Sequence, residues 1–189
     1  FGLSMLVLFA AVMKADGQVL KSELEFVKQF FIKQFGSTYA KERIALFQDI
    51  LKQEYPLRDV CRQIKSNMDH PARLQMIHVL FGLSQADGHV HPSEVNIIRD
   101  ITGYLGISQK DFESIKAMFY KDTQSSYTIL EIDKSATDIE VKKAFRRMAT
   151  KYHPDKVSHL GEEFRSIAEE KFKKVNEAYQ QVKKERGIS

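Results

Sequence analysis

The sequence predicts an all-α protein built as two helical domains. Three observations carry that expectation. Apolar residues recur at spacings of three and four through most of the chain. Strand-like alternation is nearly absent. Several prolines and glycines fall where helices start and stop.

Helices are expected over 2–15, 21–35, 38–53, 57–68, 72–86, 92–105, 109–120, 138–152 and 162–184. The first contains a strongly apolar run, 3–13, closed by Lys14 and Asp16. A membrane-spanning helix needs about 20 apolar residues, so this run reads as a buried core helix. No basic leader or cleavage site precedes it. The second ends at Gly36 and the sixth before Gly106, where a glycine with positive φ closes a helix. Pro56, Pro71 and Pro92 suit the first turn of the fourth, fifth and sixth, where a missing N–H costs nothing. Residues 121–126 are polar and lack an apolar period, so a linker is expected there. It divides the chain into domains 1–121 and 126–189.

Composition is that of a soluble globular protein. The chain has 189 residues, 43% hydrophobic and 29% charged, enough for two small domains. The net charge of +4 is too mild to imply nucleic-acid binding without a concentrated basic patch. The single cysteine, Cys61, excludes an intrachain disulfide and a four-cysteine zinc module. It reads as a buried, inert thiol in a reducing compartment. The chain begins at Phe1 instead of Met, so a fragment of a longer protein is expected.

The N-terminal domain repeats itself. Ala15-Asp16-Gly17-Gln18-Val19-Leu20-Lys21-Ser22-Glu23 matches Ala86-Asp87-Gly88-His89-Val90-His91-Pro92-Ser93-Glu94. Each copy follows one apolar helix and precedes another, and Leu24, Val27 and Phe30 answer to Val95, Ile98 and Ile101. Two related helical hairpins about a pseudo-two-fold axis are the expectation. The spacing resembles the second half of a calcium-binding EF-hand loop. However, the first two ligand positions would be Val12 and Lys14 in one copy, Leu83 and Gln85 in the other. A lysine there disqualifies that reading. Turn chemistry explains each residue instead: Gly17 and Gly88 take positive φ, Asp16 and Asp87 accept backbone N–H groups, and Glu23 and Glu94 reach back to cap a helix. No metal is expected. The alternative is a divalent ion on Asp87, His89, His91 and Glu94, which copy one could not duplicate because Gln18 and Leu20 replace the histidines.

The C-terminal domain carries the most informative tripeptide, His153-Pro154-Asp155. Ahead of it, Val141, Phe145, Met148 and Tyr152 form one apolar stripe at helical spacing. Lys142, Lys143, Arg146, Arg147 and Lys151 lie off that stripe, and Asp138 is a cap or first-turn acid. Pro154 disfavours helix at His153, so a loop opens there. Behind the loop, Phe164, Ile167, Ala168, Lys171, Phe172, Val175, Ala178, Tyr179 and Val182 pattern a second helix, with Lys171 expected at its margin. His153 and Asp155 could suggest a catalytic pair, but no nucleophile accompanies them. An enzyme is not expected, nor a cofactor. Asp138, Glu140, Glu162, Glu163, Glu169 and Glu170 break up any basic footprint for nucleic acid.

Two resemblances emerge from these motifs. The repeated Ala-Asp-Gly-x-Val-x-x-Ser-Glu in an all-α domain is similar to the TerB-like fold, whose acidic residues are suspected metal ligands. Residues 126–186 resemble a J domain. Tyr127, Leu130 and Ile132 match its first helix and turn, 141–149 and Lys151-Tyr152-His153-Pro154-Asp155-Lys156 its second helix and signature loop, and Lys171-Phe172 with Val175-Asn176-Glu177-Ala178-Tyr179 its third helix. Glu131 stands where the family usually has glycine. The loop after Val157 is long for the family, and no full fourth helix, Gly/Phe-rich linker or zinc module comes after the third helix.

Together the two domains resemble membrane-associated, DnaJ-like bacterial co-chaperones. The resemblance implies binding to the ATP state of a DnaK-type chaperone and acceleration of its ATP hydrolysis. The implied contacts are His153, Pro154 and Asp155, with Lys142, Lys143, Arg146, Arg147 and Lys151 steering the encounter. It further implies specificity from the TerB-like domain and residence on the cytoplasmic side of the inner membrane through a segment missing here, leaving this fragment soluble; a homo-oligomer is a separate expectation. The alternative is a scaffold or ion-sensing protein acting mainly through the TerB-like domain.

Overall fold

The apolar run near the start folds into a helix buried on nearly every side, as a sequence without a polar face requires. The computed structural model describes residues 2–120 and 123–188. Helix α1 spans Gly2–Met13, and Met5, Leu6, Leu8, Phe9, Val12 and Met13 are fully buried. Helices α2 (Lys21–Phe35), α3 (Ser37–Leu51), α4 (Leu57–Asn67), α5 (His70–Ser84) and α6 (Pro92–Tyr104) complete the N-terminal unit. Helix α1 packs against α3, α4, α5 and α6, so it is the centre of this bundle. Helix α5 holds the matching place in the second repeat, with Leu74, Met76, Ile77, Val79, Leu80, Phe81 and Leu83 buried. Pro71 lies in the first turn of α5, behind the Asp69 cap. Pro56 sits one place earlier than expected, at the cap position before α4.

The second unit starts earlier than the polar stretch suggests. By its contacts the chain divides into Phe1–Ile107 and Ser108–Ser189. Helix α7 (Gln109–Ala117) therefore belongs with the C-terminal helices and packs on α8 (Thr123–Ile129). Its Phe112 and Ile115 are buried, and the Ser114 hydroxyl donates to the Ile129 carbonyl at 2.8 Å. Lys121 and Asp122 of the expected linker lie outside the described residues. The rest of that stretch is helical, a correction to the linker reading. Its serines are small enough to bury: Ser125 and Ser126 are nearly inaccessible beside Tyr127 and Leu130.

Helix α9 (Asp138–Lys151) and helix α10 (Glu162–Arg186) form the expected hairpin, joined by a 3-10 helix, Pro154–Leu160. Thr137 caps α9 in a full capping box with Glu140, so Asp138 is a first-turn acid and not the cap. Val141, Met148 and Tyr152 are buried, as are Phe164, Ala168, Val175, Ala178 and Val182 of α10. Phe145 stacks on Tyr179 at 4.2 Å between ring centres. Arg186, at the far end of α10, closes the unit. It donates to the Tyr127 hydroxyl at 3.1 Å and to the carbonyls of Lys134 and Ala136, and pairs with Asp138 at 3.4 Å. Among the described residues every regular element is helical, and no helix is long and apolar enough to cross a membrane.

Candidate functional site

The repeated loops of the N-terminal unit carry out the turn chemistry read from their residues. Gly17 and Gly88 have φ of 82° and 91°. Asp16 accepts the Gln18 N–H and Asp87 the His89 N–H, both at 2.9 Å. Glu23 accepts the Leu20 N–H at 2.7 Å, and Glu94 accepts the His91 N–H at 2.9 Å. His91 is itself the cap of α6, with Pro92 in the first turn. Of the alternative ion ligands Asp87, His89, His91 and Glu94, the two acids and His91 each make a local backbone or side-chain bond. Among the described residues no group of three or more histidine, cysteine, aspartate or glutamate side chains is placed to hold a metal ion.

The structure does join the two copies through their glutamates. Glu23 and Glu94 are both buried, and each carboxyl acts on the other. Burial pushes the Glu23 carboxyl up to about 7, and the charges of Glu94, Asp16 and Asp87 add to the rise against the Leu20 N–H. Burial raises Glu94 as well. A raised carboxyl makes the folded state bind more protons than the unfolded chain between its two pKa values. Its favourable contribution is complete below about pH 4.5 and is lost as pH rises through about 7. Replacing Glu23→Gln is therefore expected to flatten the fall in stability between about pH 5 and 8. Urea unfolding across that range should show the variant gaining on the order of 1–2 kcal/mol on the parent at the alkaline end. Burial also pushes the Cys61 thiol up to about 12, as an inert core thiol requires.

In the C-terminal unit the signature loop is a capped 3-10 turn. His153 is its cap residue, and Pro154 holds the first position. The Asp155 N–H donates to His153 Nδ1 at 3.3 Å, and an Asp155 carboxylate oxygen lies 3.4 Å from the same nitrogen. With Nδ1 accepting, the proton of the neutral ring sits on Nε2, which becomes a donor. The His153 side chain is half exposed and that of Asp155 almost wholly so. The imidazole rests edge-on against Phe172 of α10, 5.8 Å between ring centres. The loop therefore presents an imidazole and a carboxylate to solvent on a capped turn.

The basic residues separate into two sets. Lys142, Lys143 and Arg146 stand exposed along α9. Arg147, itself exposed, and Lys151 are tied to neighbouring groups. Arg147 donates to the Leu130 carbonyl at 3.1 Å and lies 3.5 Å from Glu131. Lys151 pairs with Glu131 at 2.6 Å and with Asp111 of α7. Glu131 has φ of 57°, a left-handed conformation that costs a side-chain-bearing residue about 1 kcal/mol. Its carboxylate uses that geometry to hold both cations.

Lys171 corrects a reading of the pattern. Helical spacing puts it at the margin of α10 with its stem over apolar surface, but it is fully buried. Its ammonium lies over the Tyr152 ring, 4.5 Å from the centre, a contact the ring face makes favourable. Burial drives its pKa well below the ordinary lysine value, and the Asp111 carboxylate pulls it back up. Burial likewise raises the Tyr152 phenol above its usual range, with Asp111 and Glu131 adding to the rise and Ser114 opposing it. Helical spacing places Tyr152 and Phe172 correctly. It carries no signal for Asp111, Glu131 or Arg186, which act across long sequence separations.

Comparison with known proteins gives two domains in the same order. Residues 2–117 match the family described as tellurite resistance protein TerB, and residues 125–187 match the DnaJ domain. The co-chaperone protein DjlA of Vibrio cholerae is 28% identical over 213 residues, covering 94% of this chain and 75% of that protein. DjlA of Photorhabdus laumondii is 25% identical, covering 94% of this chain and 76% of its own length. The chaperone protein DnaJ of Fusobacterium nucleatum is 54% identical over 54 residues, which cover 29% of this chain and 14% of that protein. No solved structure matches. The chain belongs to the tellurite resistance protein TerB family, and a DnaJ domain follows its TerB domain.

Proposed function

We propose that this chain is a co-chaperone that docks its DnaJ domain on the ATP-bound state of a DnaK-type chaperone and accelerates hydrolysis in that partner. The observation that carries this reading is the signature loop, which offers the His153 ring and the Asp155 carboxylate to solvent on a rigid 3-10 turn. Lys142, Lys143 and Arg146 steer the encounter with an acidic surface, because exposed cations raise association rates more than they lengthen residence. Arg147 and Lys151 contribute through the same face but are held by Glu131 and Asp111, so their share is smaller. His153 donates from Nε2, Asp155 supplies a charge partner, and Pro154 keeps the turn rigid.

The reaction chemistry stays in the ATPase, so no catalytic residue is assigned to this chain. The TerB domain supplies specificity for clients or partners. The resemblance to membrane-associated co-chaperones supports residence at the cytoplasmic face of an inner membrane. The test is a binding measurement with purified DnaK-type chaperone on an immobilised chain. Micromolar association in ATP and its loss in ADP are expected. Equal binding in both nucleotides, or none, would contradict the proposal.

A further inference from the structure

Helix α7 lies ahead of residues 125–187, which match the DnaJ domain, yet it packs in the same compact unit as that domain. Its Asp111 is buried, at the third position behind the Ser108 cap. One carboxylate oxygen accepts the Ser108 hydroxyl at 2.6 Å, and the other pairs with Lys151. The same carboxylate acts on the buried Lys171 ammonium. These two lysines occupy telling places. Lys151 is the last residue of α9, one step from Tyr152 and two from His153. Lys171 precedes Phe172, the ring against which His153 rests. Lys171 also lies over the Tyr152 ring. The end of α9 is therefore attached through Lys151 to a carboxylate on α7, whose charge also bears on Lys171, the residue beside Phe172.

We propose that Asp111 is a positioning residue for the signature loop. By holding Lys151 at the end of α9 from outside the hairpin, it fixes where Tyr152 and the loop begin relative to Phe172, and so the orientation of His153. The working module then begins at the cap of α7 and not at α8. The consequence for hydrolysis in a DnaK-type partner rests on the function proposed above; the consequence for His153 does not.

The test uses the full chain and an Asp111→Asn variant, which keeps the size of the side chain and removes its charge. Two quantities are read. The first is the nuclear magnetic resonance signal of the His153 ring, assigned by its loss in His153→Gln. The second is partner stimulation as a function of chain concentration. Asp111→Asn is expected to move the His153 signals and lower maximal stimulation about tenfold, the cost of a small misplacement. The half-saturating concentration should change less than about twofold, because Lys142, Lys143 and Arg146 still steer the encounter. Asp111→Glu should restore part of the maximum. A purely structural role would lower the melting temperature and leave the His153 signals of the folded protein in place, and that result overturns the proposal. If Asp111→Asn does not fold, Lys151→Met breaks the same pair from its more exposed end, and unmoved His153 signals in that variant overturn it equally. A parent chain that fails to stimulate any partner overturns the proposed function alone, since the His153 signals still report on Asp111.

Discussion

Reversing the charge of Lys142, Lys143 and Arg146 together is expected to slow association with a DnaK-type chaperone by about tenfold to a hundredfold at low salt. The three side chains are exposed on one helix. Their effect reaches a partner across a screening length of about 10 Å at 0.1 M salt and about 3 Å at 1 M. The deficit should therefore shrink as salt rises, while the dissociation rate barely changes. Stopped-flow association at two ionic strengths reads both rates. Arg147→Ala should behave differently. It removes a partner of Glu131 and of the Leu130 carbonyl, so its cost falls on folding stability and only slightly on association. An association rate insensitive to the triple reversal would show that the partner meets another face.

The second large effect concerns the N-terminal core. Phe9 is fully buried on α1 and meets Phe30 at 5.5 Å and Phe31 at 6.3 Å, both edge to face. Truncation to alanine removes those contacts and leaves a cavity in the centre of a bundle whose α3, α4, α5 and α6 pack on α1. Phe9→Ala is expected to destabilise the TerB unit by about 3–5 kcal/mol. Urea unfolding followed by circular dichroism measures it. A loss well below about 2 kcal/mol would mean that the aromatic cluster collapses into the space, contrary to a close-packed core.

The features that the residues announced and those they withheld divide along a physical line. Local periodicity and backbone chemistry were legible. The run 3–13 had no polar face and became the buried centre of its unit. Val141, Phe145, Met148 and Tyr152 shared a stripe and pack towards α10. The repeated Asp-Gly-x-Val and its trailing glutamate gave the turn and cap bonds because those bonds span only two or three residues. Long-range electrostatics left no such trace. The pattern put Lys171 at a helix margin, because a lysine ordinarily lifts its ammonium into water. Tyr152 and a carboxylate far earlier in the chain, Asp111, act on it instead. The same holds for Lys151 and Arg147, which look like two more members of a basic face and are paired with Glu131. The polar residues after Asp122 resembled a linker because seryl side chains hide their packing: Ser125 and Ser126 bury without an apolar period.

The most direct measurement of the central claim is single-turnover ATP hydrolysis by a DnaK-type chaperone, with this chain and with its His153→Gln variant. Glutamine keeps a polar side chain but loses the imidazole that accepts from Asp155 and rests on Phe172. A working docking loop predicts stimulation by the parent and loss of at least about tenfold of it in the variant, with helix content unchanged; that factor corresponds to about 1.4 kcal/mol of coupling. Equal stimulation by both chains would remove the signature loop from the mechanism. No stimulation by either, with both folded, would contradict the co-chaperone reading and move the function to the TerB unit.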